Sequence, residues 1–387
     1  MAPLGQALRR NPFPLYRVMR RVAPVFHNRR HGLWMLFDFE SVKRALHDPE
    51  AFSSRAGPPG GKPLDWLIFQ DPPLHTKLRG IIMRTFTPRA IAELEPRIRA
   101  LVRGLLDHAI GRGAMDVAAD LAIPLPIMVI ADMLGIPEAE REPLRRWSDA
   151  ILGLSDVVAG GETAERVVAT FRAASAEMAP FVARLLEERR ASPRNDLLTR
   201  LVEAEVDGDR LSGKDVLDFF HLLLLAGSET TTNLIGSAIV CFNDHPEQLA
   251  RLRAAPELLP AAIEEVLRFR SPVQIVFRQT KRDVEVRGRT IPGGQLVLAV
   301  IGSANRDPRQ FRDPGRFEIT RDPNGHVAFG HGIHFCIGAP LARLEARIAL
   351  SEFLKRVKEF WPVPRAPWEP RRAFHVHGPS RLLIRLT

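Results

Sequence analysis

The chain has 387 residues, of which 45% are hydrophobic and 26% charged; this is ordinary globular usage and excludes a disordered or collagen-like polymer. Its 32 Pro and 27 Gly follow no fixed period, which excludes a solenoid repeat. Lys and Arg (55) outnumber Asp and Glu (45), and the net +10 suits nucleic acid, a membrane surface or an acidic protein alike. Two cysteines, Cys241 and Cys336, are too few to staple a secreted scaffold.

In chain order, Met1–Arg30 carries Arg and Pro throughout and lacks the apolar core of a signal peptide. Trp34–Phe37 reads as a strand and Gly57–Pro63 as a loop. From about 73 to 270 the pattern is helical nearly throughout. Within it, Ile91–Ile110 places apolar residues at 91, 94, 98, 101, 102, 105 and 106, one helix face. Pro124, Pro137, Pro193 and Pro246 mark breaks, and Gly208–Ser212 a turn. Residues 272–300 change to β-branched runs, Val273–Phe277, Val284–Val286 and Leu296–Ile301, expected as short antiparallel strands. Loop-rich sequence follows to Phe335, then a helix from Ala339 to about Val357 and a strand pair near His377–Pro379. No run reaches the roughly 18–20 apolar residues that cross a bilayer. Leu121–Leu134 is interrupted by Pro124 and Pro126, and Leu217–Leu225 is short. A soluble, cytoplasmic protein with no membrane partner is expected.

Four segments can carry chemistry. In Phe329–Gly338, glycines surround Cys336, and Pro340 fits a first helical turn, so the cysteine precedes a helix N-terminus. There backbone N–H groups favour a thiolate, and Phe329 and Phe335 offer apolar shelter. One sulfur without a second suits a single metal–sulfur bond rather than zinc or an iron–sulfur cluster; the alternative is a buried structural cysteine. Cys241 has no such context and reads as structural.

The second segment, Leu222–Gly236, follows a capping box of Ser212 and Asp215 and begins as a helix apolar on nearly every face. Gly227, three consecutive Thr and an acid, Glu229, then weaken it. That combination suggests a local opening for ligand and water, against which stands simple back-bonding of hydroxyls to the helix. The third pairs Glu265 with Arg268, three apart on one face, with Arg316 nearby; the alternative is a surface ion pair of little weight. In the fourth, His75 and Arg79 share a face of a helix starting near Pro73 and, with Arg278 and His334, can clamp anions; the alternative is a solvated face.

Taken together, the order Pro72-Pro-x-His-Thr-x-x-Arg79, Ala226-Gly-x-Glu-Thr-Thr231, Glu265-x-x-Arg268 and Phe329-x-x-Gly-x-x-x-Cys-x-Gly338 resembles a bacterial cytochrome P450, a haem-thiolate monooxygenase. The resemblance covers nearly the whole length. It implies a mainly α fold with small β-sheets, a triangular prism of helices around a buried haem. It implies one catalytic domain over 1–387 with no fused reductase. The β-rich parts are then about 1–70, 272–300 and 370–387, and the helical parts about 73–270 and 339–357. Cys336 is then the haem iron ligand, shielded by Phe329, with Gly330, Gly332 and Gly338 shaping its loop. His75, Arg79, Arg278 and His334 match haem-propionate partners, and Ala226 and Gly227 the helix passing over the haem. Glu229 and Thr230 match an acid–alcohol pair that manages protons. Glu265, Arg268 and Arg316 match a buried structural cluster.

Haem b, O2 and electrons from NAD(P)H follow, delivered by a ferredoxin or flavodoxin and its reductase, with docking near Arg343 and Arg347. Hydroxylation, epoxidation or O-dealkylation of a hydrophobic small molecule is expected, by a monomer with no nucleic-acid partner. The proposed pocket walls are Trp66, Leu67, Leu223, Val273, Ile275 and Val376. The alternatives are a peroxide-driven peroxygenase of the same fold and a non-catalytic haem gas sensor.

Overall fold

The computed structural model describes residues 2–55, 64–154, 161–206 and 208–387, without side chains at 2–4, 161 and 206. The loop expected at Gly57–Pro63 lies outside the described residues. The chain divides into two compact units joined by a continuous helix, Gly213–Asp244.

The first unit comprises Met1–Ala56, Arg99–Ile123 and Thr230–Thr387. Its five-stranded sheet has the order Val25–Asn28, Leu33–Leu36, Leu296–Ala299, Val276–Thr280, Phe52–Ser53. The alternation of strands sorts its side chains. Val297 and Ala299 join Trp34, Leu36, Phe39, Val42 and Phe52 in one core, whereas Leu298 joins Phe13, Tyr16, Phe37 and Ile275 in another. Leu296–Ala299 pairs antiparallel with Val276–Thr280, as expected for the strands of residues 272–300, and on its other edge runs parallel to Leu33–Leu36. The two strands lie some 260 residues apart in sequence. No local turn signal encodes such a pairing, because only antiparallel neighbours can be joined by a tight turn. The hairpin Val284–Val286/Arg289–Ile291 does turn at the expected Arg-Gly pair, with φ of 49° at Arg287 and 70° at Gly288, as a two-residue primed turn requires. Val273 makes only an isolated bridge to Val376, so the strand expected from Val273 lies three positions later, at Val276–Thr280. Ile301 begins a short helix, Ile301–Ala304, so the strand from Leu296 is shorter than expected.

The second unit comprises Gly57–Ile98 and Pro124–Glu229. It contains the helices Leu74–Thr85, Pro88–Ala92, Pro124–Met133, Glu142–Gly153, Gly161–Ala191 and Leu197–Glu203. The turn expected at Gly208–Ser212 is part of a small hairpin, Glu205–Val206 against Asp209–Arg210. The single apolar stripe read over Ile91–Ile110 belongs to two helices, Pro88–Ala92 and Glu95–Ile110. Pro96 supplies the reason: it has no N–H to extend a helix but is accommodated in a first turn. Ser212 and Asp215 form the expected capping box, with Asp215 N donating to Ser212 Oγ at 3.1 Å and Ser212 N to Asp215 Oδ2 at 2.9 Å.

Candidate active site

The loop before the Ala339–Arg356 helix is a backbone cradle for Cys336. Gly330 and Gly332 adopt φ of 79° and 74°, a region closed to most side chains. Gly332 is doubly constrained, since a Cβ there would lie 2.9 Å from His47 Cα and 3.0 Å from Leu46 O. The loop closes where Cys336 N donates to Phe329 O at 2.9 Å, and Gly338 caps the helix with Pro340 in its first turn. Phe329 lies under the Arg343 guanidinium, 4.5 Å from its ring centroid. The Phe335 ring lies 6.3 Å from that of Phe329, centroid to centroid, with the two planes inclined at 59°.

The donor set fits haem. Among the described residues no group of three or more His, Cys, Asp or Glu is arranged to hold a bare metal ion. Haem iron would need a single ligand atom from the chain, and a lone cysteine set in a glycine-shaped loop fits that need.

Arg343 forms an ion pair within the chain. Its Nε and Nη2 donate to the two Glu264 oxygens at 2.7 and 2.8 Å, and His326 Nε2 lies 3.2 Å from Glu264 Oε2. The pair balances the Arg343 charge within the protein, while the Arg343 side chain stays 39% exposed. Burial alone would raise the Glu264 carboxyl, but the hydrogen bonds from Arg343 and His326 outweigh it and bring its pKa to about 2. A depressed carboxyl contributes stability that is present above the unfolded pKa of about 4.5 and lost as pH falls toward 2. Glu264→Gln is therefore expected to cost about 1–2 kcal/mol at neutral pH, after discounting for solvent screening. Wild type and variant should converge near the acid end in urea titrations across pH.

One residue further on, Glu265 is fully buried and organises the segment leading into the cysteine loop. Arg268 donates to both its oxygens at 2.7 Å. Glu318 N and Asn324 Nδ2 add bonds of 2.9 and 3.1 Å. The third member of the cluster is Arg321, whose Nε is 3.2 Å from both carboxylate oxygens. Arg316 was expected in that place; its side chain is 66% exposed and pairs with Glu318. Only its carbonyl takes part, accepting from Arg268 Nη2 and Arg321 Nη2 at 3.1 Å each.

Near Arg278 and His334 stands a residue the sequence did not flag, Ser54, which bonds His334. Arg278 sits in the strand Val276–Thr280, which pairs with Phe52–Ser53. The next residue, Ser54, bonds His334 Nε2 through Oγ at 2.9 Å. In the second unit, His75 and Arg79 are one turn apart on the Leu74–Thr85 helix, His75 buried and Arg79 half-buried.

The Gly213–Asp244 helix runs without interruption through the glycine and threonines, so no opening of its backbone occurs where one was expected. Neighbouring groups explain part of the composition. A Cβ on Gly227 would lie 2.9 Å from Ile130 Cδ1, so the glycine permits close packing. Ser228 Oγ bonds back to Leu224 O and meets Ser148 Oγ at 2.9 Å, and Thr232 Oγ1 donates to Ala122 O at 2.7 Å. Glu229 is buried, Thr230 half-buried and Ala226 exposed.

Of the expected pocket walls, Trp66 is buried in a stack with His221, 5.7 Å between centroids at 16°, and Leu67 is also buried. Leu223 is half-buried. Ile275 is buried and packs with Phe13 and Tyr16. Val273 and Val376 face each other across their bridge.

A family profile described as Cytochrome P450 matches residues 23–362. The chain is 39% identical over 380 residues to the cytochrome P450 monooxygenase PikC of Streptomyces venezuelae, covering 92% of this chain and 86% of that one. Among solved structures, CYP109B1 from Bacillus subtilis superposes with a TM-score of 0.90 at 39% identity, covering 97% of this chain and 100% of that one. CYP109E1 from Bacillus megaterium, solved in complex with testosterone, does so at 0.89 and 38%, covering 97% and 99%. The Cys336 cradle and the Glu265 hub thus sit in a chain that matches one family over most of its length. The protein belongs to the cytochrome P450 family and is, with it, a haem-dependent monooxygenase.

Proposed function

We propose that the chain is a single catalytic domain that hydroxylates, epoxidises or O-dealkylates a hydrophobic small molecule, with electrons from a ferredoxin or flavodoxin system. The observation that carries the reading is the cradle itself: two positive-φ glycines and a Phe329 carbonyl fix one cysteine ahead of a helix N-terminus. In this reading Cys336 would hold the haem iron through its sulfur. His75, Arg79, Arg278 and His334 hold the propionates by charge-assisted hydrogen bonds, for which the Ser54–His334 contact supplies orientation. Ala226 and Gly227 offer a low-profile helix surface above the haem.

Bound haem with a thiolate ligand supplies O–O cleavage and one oxygen atom for insertion into substrate. The chain's own task is protons. Glu229, buried on the central helix, takes a proton from solvent at its carboxylate, and the Thr230 hydroxyl holds the last hydrogen bond of the route. Adjacent helix residues leave the axis about 100° apart, so transfer between them runs through a water. Residues such as Leu67 and Leu223 are apolar, which favours a hydrophobic substrate. Testosterone, bound by CYP109E1, is a reasoned first probe. We place the protein in the cytoplasm as a monomer; among the described residues no single helix is long and apolar enough to cross a membrane.

Product formation should require NADH, a ferredoxin system and O2; turnover supported equally by peroxide alone would favour a peroxygenase, and none under either condition a gas sensor. In the same assay Thr230→Ala is expected to keep consuming NADH while product per NADH falls about tenfold or more, the electrons appearing as peroxide. Unchanged coupling would remove the proton role from Thr230.

A further inference from the structure

Residues 1–37 contain seven Arg and no Asp or Glu. The remaining 350 residues therefore carry only +3 of the net +10. Within this segment the Phe13–Val22 helix is mounted firmly by one face. Phe13 and Tyr16 are buried, and Arg20 Nη1 donates to Ser303 O at 2.8 Å and Ser303 Oγ at 2.9 Å. Its outer face is apolar: Leu15, Val18 and Val22 are 44%, 54% and 69% exposed. Their spacing of three and then four residues aligns them in one stripe. Arg17 and Arg21, both exposed, line one side of that stripe, and the preceding helix, Ala2–Arg10, adds an exposed Leu8 and Arg9.

We propose that this face docks the enzyme on an anionic lipid bilayer, most simply the cytoplasmic leaflet, lying in the headgroup plane without spanning it. An apolar stripe bordered by arginines, on a helix with a large exposed face, is the pattern of an interfacial helix. The acid-free segment provides the charge complement to anionic headgroups, whose attraction acts on each nearby arginine. The docking departs from the sequence expectation of no membrane partner, which rested on the lack of a spanning segment. It is independent of the catalytic reading and would place the enzyme where apolar substrates partition.

The test is flotation of the full-length, haem-loaded enzyme with vesicles of phosphatidylglycerol and phosphatidylcholine, against phosphatidylcholine alone. Binding is expected on the anionic vesicles only, and raising the salt from about 0.05 to about 0.5 M should weaken it. The combined variant Leu15→Gln/Val18→Gln/Val22→Gln keeps every charge and should lose binding about tenfold or more. Arg17→Gln/Arg21→Gln should lose a comparable amount, whereas Arg309→Gln/Arg312→Gln, with the same charge change elsewhere, should bind as wild type. All substituted positions are exposed, and thermal midpoints are expected to stay near wild type. Absence of anionic-vesicle binding, or full binding by the apolar triple variant, overturns the proposal. So does a wild-type dimer that the triple variant converts to monomer without vesicles, since the face would then be covered by a second copy.

Discussion

Cys336→Ser is expected to remove the long-wavelength Soret band of the reduced, carbon monoxide-treated protein and to lower turnover at least about a thousandfold. Serine is nearly isosteric and leaves the Cys336 N–H to Phe329 O bond in place, so the loop and the thermal midpoint should survive. What changes is the donor atom: a hydroxyl does not ionise near neutrality and donates far less electron density than a thiolate. Cys241→Ser is the matched control. That thiol is fully buried, and burial pushes its pKa up to about 12, so it is neutral and remote from ligand duty. A Cys336→Ser protein that retains the band, or a Cys241→Ser protein that loses it, would assign the sulfur wrongly.

The second large effect concerns Glu265. Arg268→Ala removes the closer of two cations from a carboxylate with no exposure to water, and breaking one side of a buried pair costs about 3–5 kcal/mol. Arg321→Ala removes the second cation and three carbonyl contacts, for an expected loss of about 1–3 kcal/mol. Arg316→Ala should cost no more than about 0.5 kcal/mol, because its exposed head group contributes little and its carbonyl remains. Urea unfolding of the three purified variants checks the order. Equal losses at 316 and 321 would restore Arg316 to the cluster.

That contrast shows how far sequence reading reached. The Cys336 loop was readable because its geometry is local: Gly330, Gly332 and Pro340 each carry a backbone requirement in their own identity. The Glu265–Arg268 pair was readable for the same reason, as helix spacing. The choice between Arg316 and Arg321 was not, since both lie in a segment with no periodicity and only the folded path decides which head group turns inward. The pairing of Arg343 was not readable either, because Glu264, its partner, lies 79 positions away. Ser54 carried no signal at all, being one of many serines until the sheet brings it to His334. Likewise the hydroxyls near Gly227 suggested an opening, but Ser228 meets Ser148 and Thr232 donates to the Ala122 carbonyl, while Ile130 packs against the glycine itself.

Between Asn305 and the cysteine loop the chain has almost no regular structure, and its carbonyls are capped by side chains instead of a ladder. Arg268 binds the oxygens of residues 305, 314 and 316, and Arg321 those of 312, 313 and 316. Guanidinium groups that grip the main chain are indifferent to which residue supplies each carbonyl. The identities of Arg309, Arg312 and Arg316 are therefore replaceable lettering on a fixed ribbon, and this approach to the sulfur can drift in composition while its course stays anchored at Glu265, Arg268 and Arg321.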